Sequence, residues 1–186
     1  SDVYMRQDLD WNPVFFSSDH VNIVELSDLI IPSGDNIPGS KELNLVKFID
    51  LYIHNISNKK DQDLLKKSTN AFLRNCLTKS TKNNFEKLDR NDLESSLKYF
   101  FKTKADDHSN WRQAYNKNKD QNIENDTYLT EAFSFNFLNT IRQLTITAFK
   151  GNEYIGENVL AYAPIPGQQK GCVDLEEATG GRAWSL

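Results

Sequence analysis

Hydrophobic and polar positions recur along this chain at helical spacings, and no sustained strand alternation is present. The longest pattern runs over about 127–149. Leu129, Phe133, Phe137, Ile141 and Leu144 fall three or four residues apart, with Leu138 and Phe149 beside them. Apolar residues cover more than one stripe of this segment, which predicts a central helix with neighbours on several sides. Gly151 follows as an expected C′ glycine, and 153–161 predicts a last short helix.

Shorter patterns precede it. Ser18 or Asp19 can cap a helix near His20, in which Ile23, Leu26 and Ile30 recur at helical spacing. Pro32 ends it, because the residue before a proline is pushed out of the α region. A loop over 32–39, held by two prolines and two glycines, leads to Ser40, the expected cap of the next helix. That helix reads with a core face of Leu45, Phe48, Ile49, Tyr52 and Ile56. A third helix over about 61–78 carries Leu64, Leu65, Phe72, Leu73, Cys76 and Leu77. Asp89 precedes a fourth, with Leu93, Leu97, Phe100 and Phe101 apolar.

Three segments break the pattern. In 1–16, Pro13 argues against a continuous helix, and Trp11, Phe15 and Phe16 suit an arm that docks onto a surface. In 102–126, Lys, Asp, Asn and Gln dominate and only Trp111, Tyr115 and Ile123 can anchor, so an exposed insertion with one short helix is expected. From Tyr162 the text is Pro- and Gly-rich and predicts an extended tail over 162–186. The fold class is all-α: one helical domain over 1–186, an irregular bundle around the 127–149 helix.

A chain of 186 residues can bury a real core. Its net charge is −4, with no Lys/Arg stripe interleaved with aromatics, so it carries no nucleic-acid footprint. No stretch approaches the roughly 20 apolar residues of a membrane span. Cys76 lies in helical text and reads as a small buried hydrophobe. Cys172, after Gly171, is expected to be accessible.

A catalytic constellation is not found. Gly167 and Gly180-Gly181 fit no dinucleotide-binding pattern, and a βαβ context is missing. His20, His54 and His108 are far apart; Asp50 lies four residues before His54, which reads as a surface ion pair or half a metal site. Ser33 and Cys172 each have a nearby acid but no histidine close in sequence. Glu176-Glu177 reads as a solvated pair. Catalytic, cofactor-binding and metal residues are therefore not assigned to this chain.

The tail offers candidates for partner binding. Tyr162, Pro164, Ile165, Pro166, Gly167, Cys172 and Trp184 combine a fixed extended path, a turn, a thiol and a large apolar anchor. Such a segment can pack on its own bundle or strap onto a partner, and the Cys172 thiol could bridge to that partner in an oxidising compartment.

Several stretches together carry a resemblance. They are Leu26-Ser27-Asp28-Leu29-Ile30-Ile31-Pro32, Ile37-Pro38-Gly39-Ser40, Val46-Lys47-Phe48-Ile49-Asp50, Phe137-Leu138 through Leu144, Gly151, Tyr154-Ile155-Gly156, Tyr162, Pro164-Ile165-Pro166-Gly167, Gly171-Cys172 and Trp184. In these the chain resembles the small subunit of bacterial membrane-associated gluconate 2-dehydrogenase-type complexes, the subunit 3 family. Residues 59–126 carry little of the likeness. The resemblance implies a non-catalytic partner of a large FAD-dependent flavoprotein of the glucose-methanol-choline type, which oxidises a sugar or sugar acid and passes electrons to a c-type cytochrome. It implies that FAD belongs to the large subunit, that the small one escorts or stabilises it, and that the complex is periplasmic. The chain opens at Ser1-Asp2-Val3 without an initiator Met, so a leader is expected to be removed or to lie outside this sequence. A stand-alone helical scaffold protein of the periplasm is the competing expectation, and a hydrolase using Cys172 or a carboxylate pair is a third.

Overall fold

A computed structural model describes residues 11–161 together with 174, 176 and 179–183. Among the described residues there are seven α-helices and no strand. They are α1 (His20–Ile30), α2 (Leu45–Ile56), α3 (Lys59–Lys79), α4 (Arg90–Lys102), α5 (Ala105–Lys117), α6 (Thr127–Lys150) and α7 (Glu153–Asn158). Single 3-10 turns occupy Ser17–Asp19 and Phe85–Lys87.

The local chemistry sets most boundaries. Asn58 caps α3 through Asp61 N, and Asp126 caps α6 through Leu129 N. Asp89 and Asp92 form a reciprocal capping box at the start of α4. α6 is the centre of the bundle, with α3 and α5 packed most extensively on it and α1 and α2 also in contact. Its Phe133, Phe137, Leu138 and Ile141 have no exposed surface, and Phe137 meets Phe72 of α3 with ring centroids 5.3 Å apart. That many-sided burial is why its apolar residues exceed one stripe.

Five expectations are corrected. α2 is turned so that Leu45, Val46, Ile49, Asp50 and Ile53 face inward, while Phe48, Tyr52 and Ile56 face out. Ser40 caps no helix: α2 starts five residues later, after Asn44 in a left-handed conformation (φ 51°). The Ser40 hydroxyl instead bonds that of Ser27. Gly151 follows α6 with φ −83°, so the helix ends without using glycine's left-handed freedom; Asn152 immediately caps α7. The 102–126 segment contains a 13-residue helix, α5, with Trp111 and Tyr115 buried against α6 and Ile123 buried after it. Its polar composition reflects a helix with one narrow buried edge. Finally, Asp50 and His54 are not a surface pair: Asp50 is fully buried and faces the N-terminal arm, while His54 is exposed.

Candidate functional site

The site begins with the contest between two faces of α2. Its sequence is apolar on both, so periodicity alone cannot choose between them. Asp50 decides. Its Oδ1 accepts from Phe15 N and Phe16 N, both at 2.9 Å. Its Oδ2 accepts from Val14 N at 2.9 Å and from Trp11 Nε1 at 3.2 Å. Four donors converge on one buried carboxylate and tie the arm over 11–16 to the inner face of α2. Phe15 and Phe16 are carried into the core beside it, with rings edge to face at 5.0 Å.

With Asp50 inward, the opposite face is left to solvent. On a wheel of 3.6 residues per turn, Leu51, Asn55, Phe48, Tyr52 and Ile56 lie side by side. Four of them are large and apolar and remain widely exposed: Leu51 41%, Phe48 56%, Tyr52 44% and Ile56 68%. The Phe48 and Tyr52 rings stack at 6.1 Å. Single exposed apolar residues need no explanation, but a contiguous stripe of them marks an interaction surface.

A second projection stands beside this helix in the chain. The loop over 32–39 is braced by Gly34 N to Ile37 O (2.9 Å) and Ser40 N to Ile31 O (2.8 Å). Ser33 Oγ donates to Glu42 Oε1 at 2.8 Å and accepts from Gly39 N at 3.3 Å. Gly39 is required by close approach: a Cβ there would meet Ser33 N at 2.4 Å and the carbonyl carbon of Pro32 at 2.7 Å. Beneath the loop the buried Ser27 hydroxyl bonds Ser40 and lies 3.2 Å from Thr145 Oγ1, joining α1, the loop and α6. The loop is thus held rigidly while Ile37 stays exposed.

The chemistry-bearing side chains are otherwise engaged in structure. Ser33, weighed as a nucleophile, is spent on Glu42 and Gly39. Cys76 donates to Ser96 Oγ at 3.2 Å, and burial pushes its thiol up to about 11. Tyr99 donates to Glu131 at 2.8 Å and is pushed up to about 12 by burial and by that carboxylate. Glu25 is held below the usual carboxylate range by its bond to Lys41, then by Arg90. Among the described residues no group of three His, Cys, Asp or Glu could hold a metal ion, and no helix is long and apolar enough to cross a membrane.

Of the tail positions singled out from sequence, Tyr162, Pro164, Ile165, Pro166, Gly167, Cys172 and Trp184 all lie outside the described residues. Of the described residues near them, Ala161 N donates to Ala183 O at 2.6 Å. Sequence reasoning missed the outward stripe of α2 and the anchoring role of Asp50. The available signal was the excess of apolar residues on α2, too many for a helix packed on one side.

The model of the family described as Gluconate 2-dehydrogenase subunit 3 matches residues 19–167 of this chain. No curated protein and no solved structure matches it.

Proposed function

The chain belongs to the gluconate 2-dehydrogenase subunit 3 family, and from that premise we propose that it is the non-catalytic small subunit of a periplasmic, FAD-dependent sugar or sugar-acid dehydrogenase complex. Its work is to dock onto the large flavoprotein of the glucose-methanol-choline type and to stabilise or escort it. FAD and the oxidation chemistry sit in that large subunit, and a c-type cytochrome takes the electrons onward. The observation that carries this reading is the outward stripe of α2: Leu51, Phe48, Tyr52 and Ile56, exposed on a helix whose other face is fully committed to the core. Covering such side chains adds roughly 1 kcal/mol or more each, and an aromatic-rich apolar centre is what a stable interface uses.

The braced loop with Ile37 and the tail residues Tyr162, Ile165, Pro166 and Trp184 extend the same proposed interface. The test is affinity capture of the tagged full-length protein from its native host, with mass spectrometry and flavin absorbance of what is recovered. Near-equal recovery of an FAD-containing oxidoreductase supports the reading. Recovery of the chain alone from both soluble and membrane fractions defeats it.

A further inference from the structure

A second surface, remote in sequence from α2, is built by α4, α5 and α6. Phe101, His108, Arg112, Phe135, Asn139 and Arg142 line an open cleft of about 460 Å³. Its floor is aromatic. Phe135 is buried, stacks on His108 at 4.5 Å and meets Trp111 in a tilted arrangement at 5.2 Å. Both arginines lie over rings: the Arg112 guanidinium is 5.7 Å from the Phe135 centroid and that of Arg142 is 5.7 Å from Phe101. Among the described residues neither forms an ion pair with a carboxylate. The ion pairs of the described residues engage Glu25, Asp28, Asp63, Asp89, Asp92 and Glu94 with other cations.

The cleft therefore holds two guanidinium groups that no carboxylate of the described residues neutralises, in a chain of net charge −4. A guanidinium laid on an aromatic face keeps its N–H edge free, and that planar fork matches a carboxylate in a bidentate pair. The polar neighbours are already oriented. The Phe100 carbonyl can only accept, so His108 Nε2, 2.7 Å away, carries the proton. Asn139 Nδ2 donates to Phe135 O at 3.0 Å, which leaves its Oδ1 as an acceptor. The cleft opens to solvent rather than enclosing a cavity, which suits a polypeptide segment better than an enclosed small molecule.

We propose that this cleft receives an acidic segment of the partner subunit, one whose carboxylate is clasped by Arg112 and Arg142 while an adjacent apolar side chain covers the Phe101 and Phe135 rings. This rests on the reading that the chain is a docking subunit, and it adds a charged contact separate from the apolar stripe of α2. The stripe then supplies burial, and the cleft supplies register and partner choice.

The test uses the full-length protein and its co-purified partner. Dissociation constants are measured for wild type, Arg112→Glu with Arg142→Glu, and Arg112→Lys with Arg142→Lys, across a range of sodium chloride concentrations. Charge reversal is expected to weaken the complex at least ~10-fold at physiological ionic strength and to flatten its salt dependence. The lysine pair is expected to keep the salt dependence while losing part of the affinity, because an ammonium cannot make the bidentate fork. Unchanged affinity and salt dependence in the charge-reversed protein overturns the proposal while leaving the subunit reading intact. If wild type captures no partner, the subunit reading itself fails. The cleft is then decided on the isolated chain by titrating acetyl-Glu-Phe-Glu-amide and following the Arg Nε–H resonances. Shifts confined to Arg112 and Arg142 sustain an acidic-segment site, and their absence at millimolar peptide removes it.

Discussion

Replacing Asp50 with alanine takes one acceptor away from four donors at once. Val14 N and Trp11 Nε1 lie close to the surface and can turn to water. Phe15 N and Phe16 N are buried and cannot do so in place. Two orphaned buried amides, at about 1–3 kcal/mol each, penalise a docked arm by about 2–6 kcal/mol. If the arm lifts, the amides are hydrated, but Phe15 and Phe16, each 3% exposed, lose their burial. That is worth roughly 1.5–3 kcal/mol per side chain, partly offset by the freedom the released backbone gains. The less costly route sets the result, so Asp50→Ala is expected to destabilise by about 2–4 kcal/mol. Urea unfolding followed by circular dichroism gives the magnitude, and amide exchange at Phe15 and Phe16 reports whether the arm has lifted. His54→Ala is the control and is expected to change stability by less than about 0.5 kcal/mol. Equal, sub-kilocalorie effects from both substitutions would refute the reasoning, because they would make Asp50 an ordinary surface partner of His54.

Three other outcomes follow from the packing. Phe137→Ala, which opens a void against Phe72 at the centre of the bundle, is expected to lower the unfolding free energy by about 3–5 kcal/mol in the same assay. Gly39→Ala forces a methyl against the backbone of Ser33 and Pro32. It is expected to destabilise by about 1–3 kcal/mol and to raise amide exchange at Gly34 and Ser40, while an alanine at Gly34, whose Cβ would meet only Ile37 O at 4.0 Å, does neither. With the Cys76 thiol raised from 9.0 to about 11, the folded state keeps its proton where the unfolded chain has lost it. The sign is therefore a stability contribution present below pH 9 and lost between pH 9 and 11. In a Cys172→Ser background, alkylation of Cys76 at pH 8 should run about a hundredfold slower than for an ordinary thiol until denaturant is added. A rate matching the free thiol in native buffer would contradict that burial.

Much of the fold was legible because local chemistry and tertiary packing agree. The α6 pattern needed a many-sided environment and has one, and Asp89, read as preceding the fourth helix, caps α4 through its side chain. α2 was misread by about one residue of rotation. Leu45 and Ile49 belong to the inner face, but Phe48, Tyr52 and Ile56 satisfy the same period, and nothing local ranks the two stripes. What ranks them is Asp50 meeting backbone donors 34 to 36 residues earlier, a contact no window can show. The Ser40 error has the same origin, since its hydroxyl is drawn to Ser27 of α1. The family resemblance was carried largely by such positions. Ser27, Gly39, Ser40 and Asp50 hold the loop and the arm in place, whereas Phe48 and Ile37 point outward.

The central claim is that the outward face of α2 holds a dehydrogenase subunit. It is tested most directly by comparing partner capture from the native host for wild type and for a variant carrying Phe48→Ala, Leu51→Ala, Tyr52→Ala and Ile56→Ala. All four side chains are widely exposed, so the variant is expected to unfold within about 1 kcal/mol of wild type and yet to return without the flavoprotein. A variant that stays folded and still brings down the flavoprotein at the wild-type ratio would contradict the account.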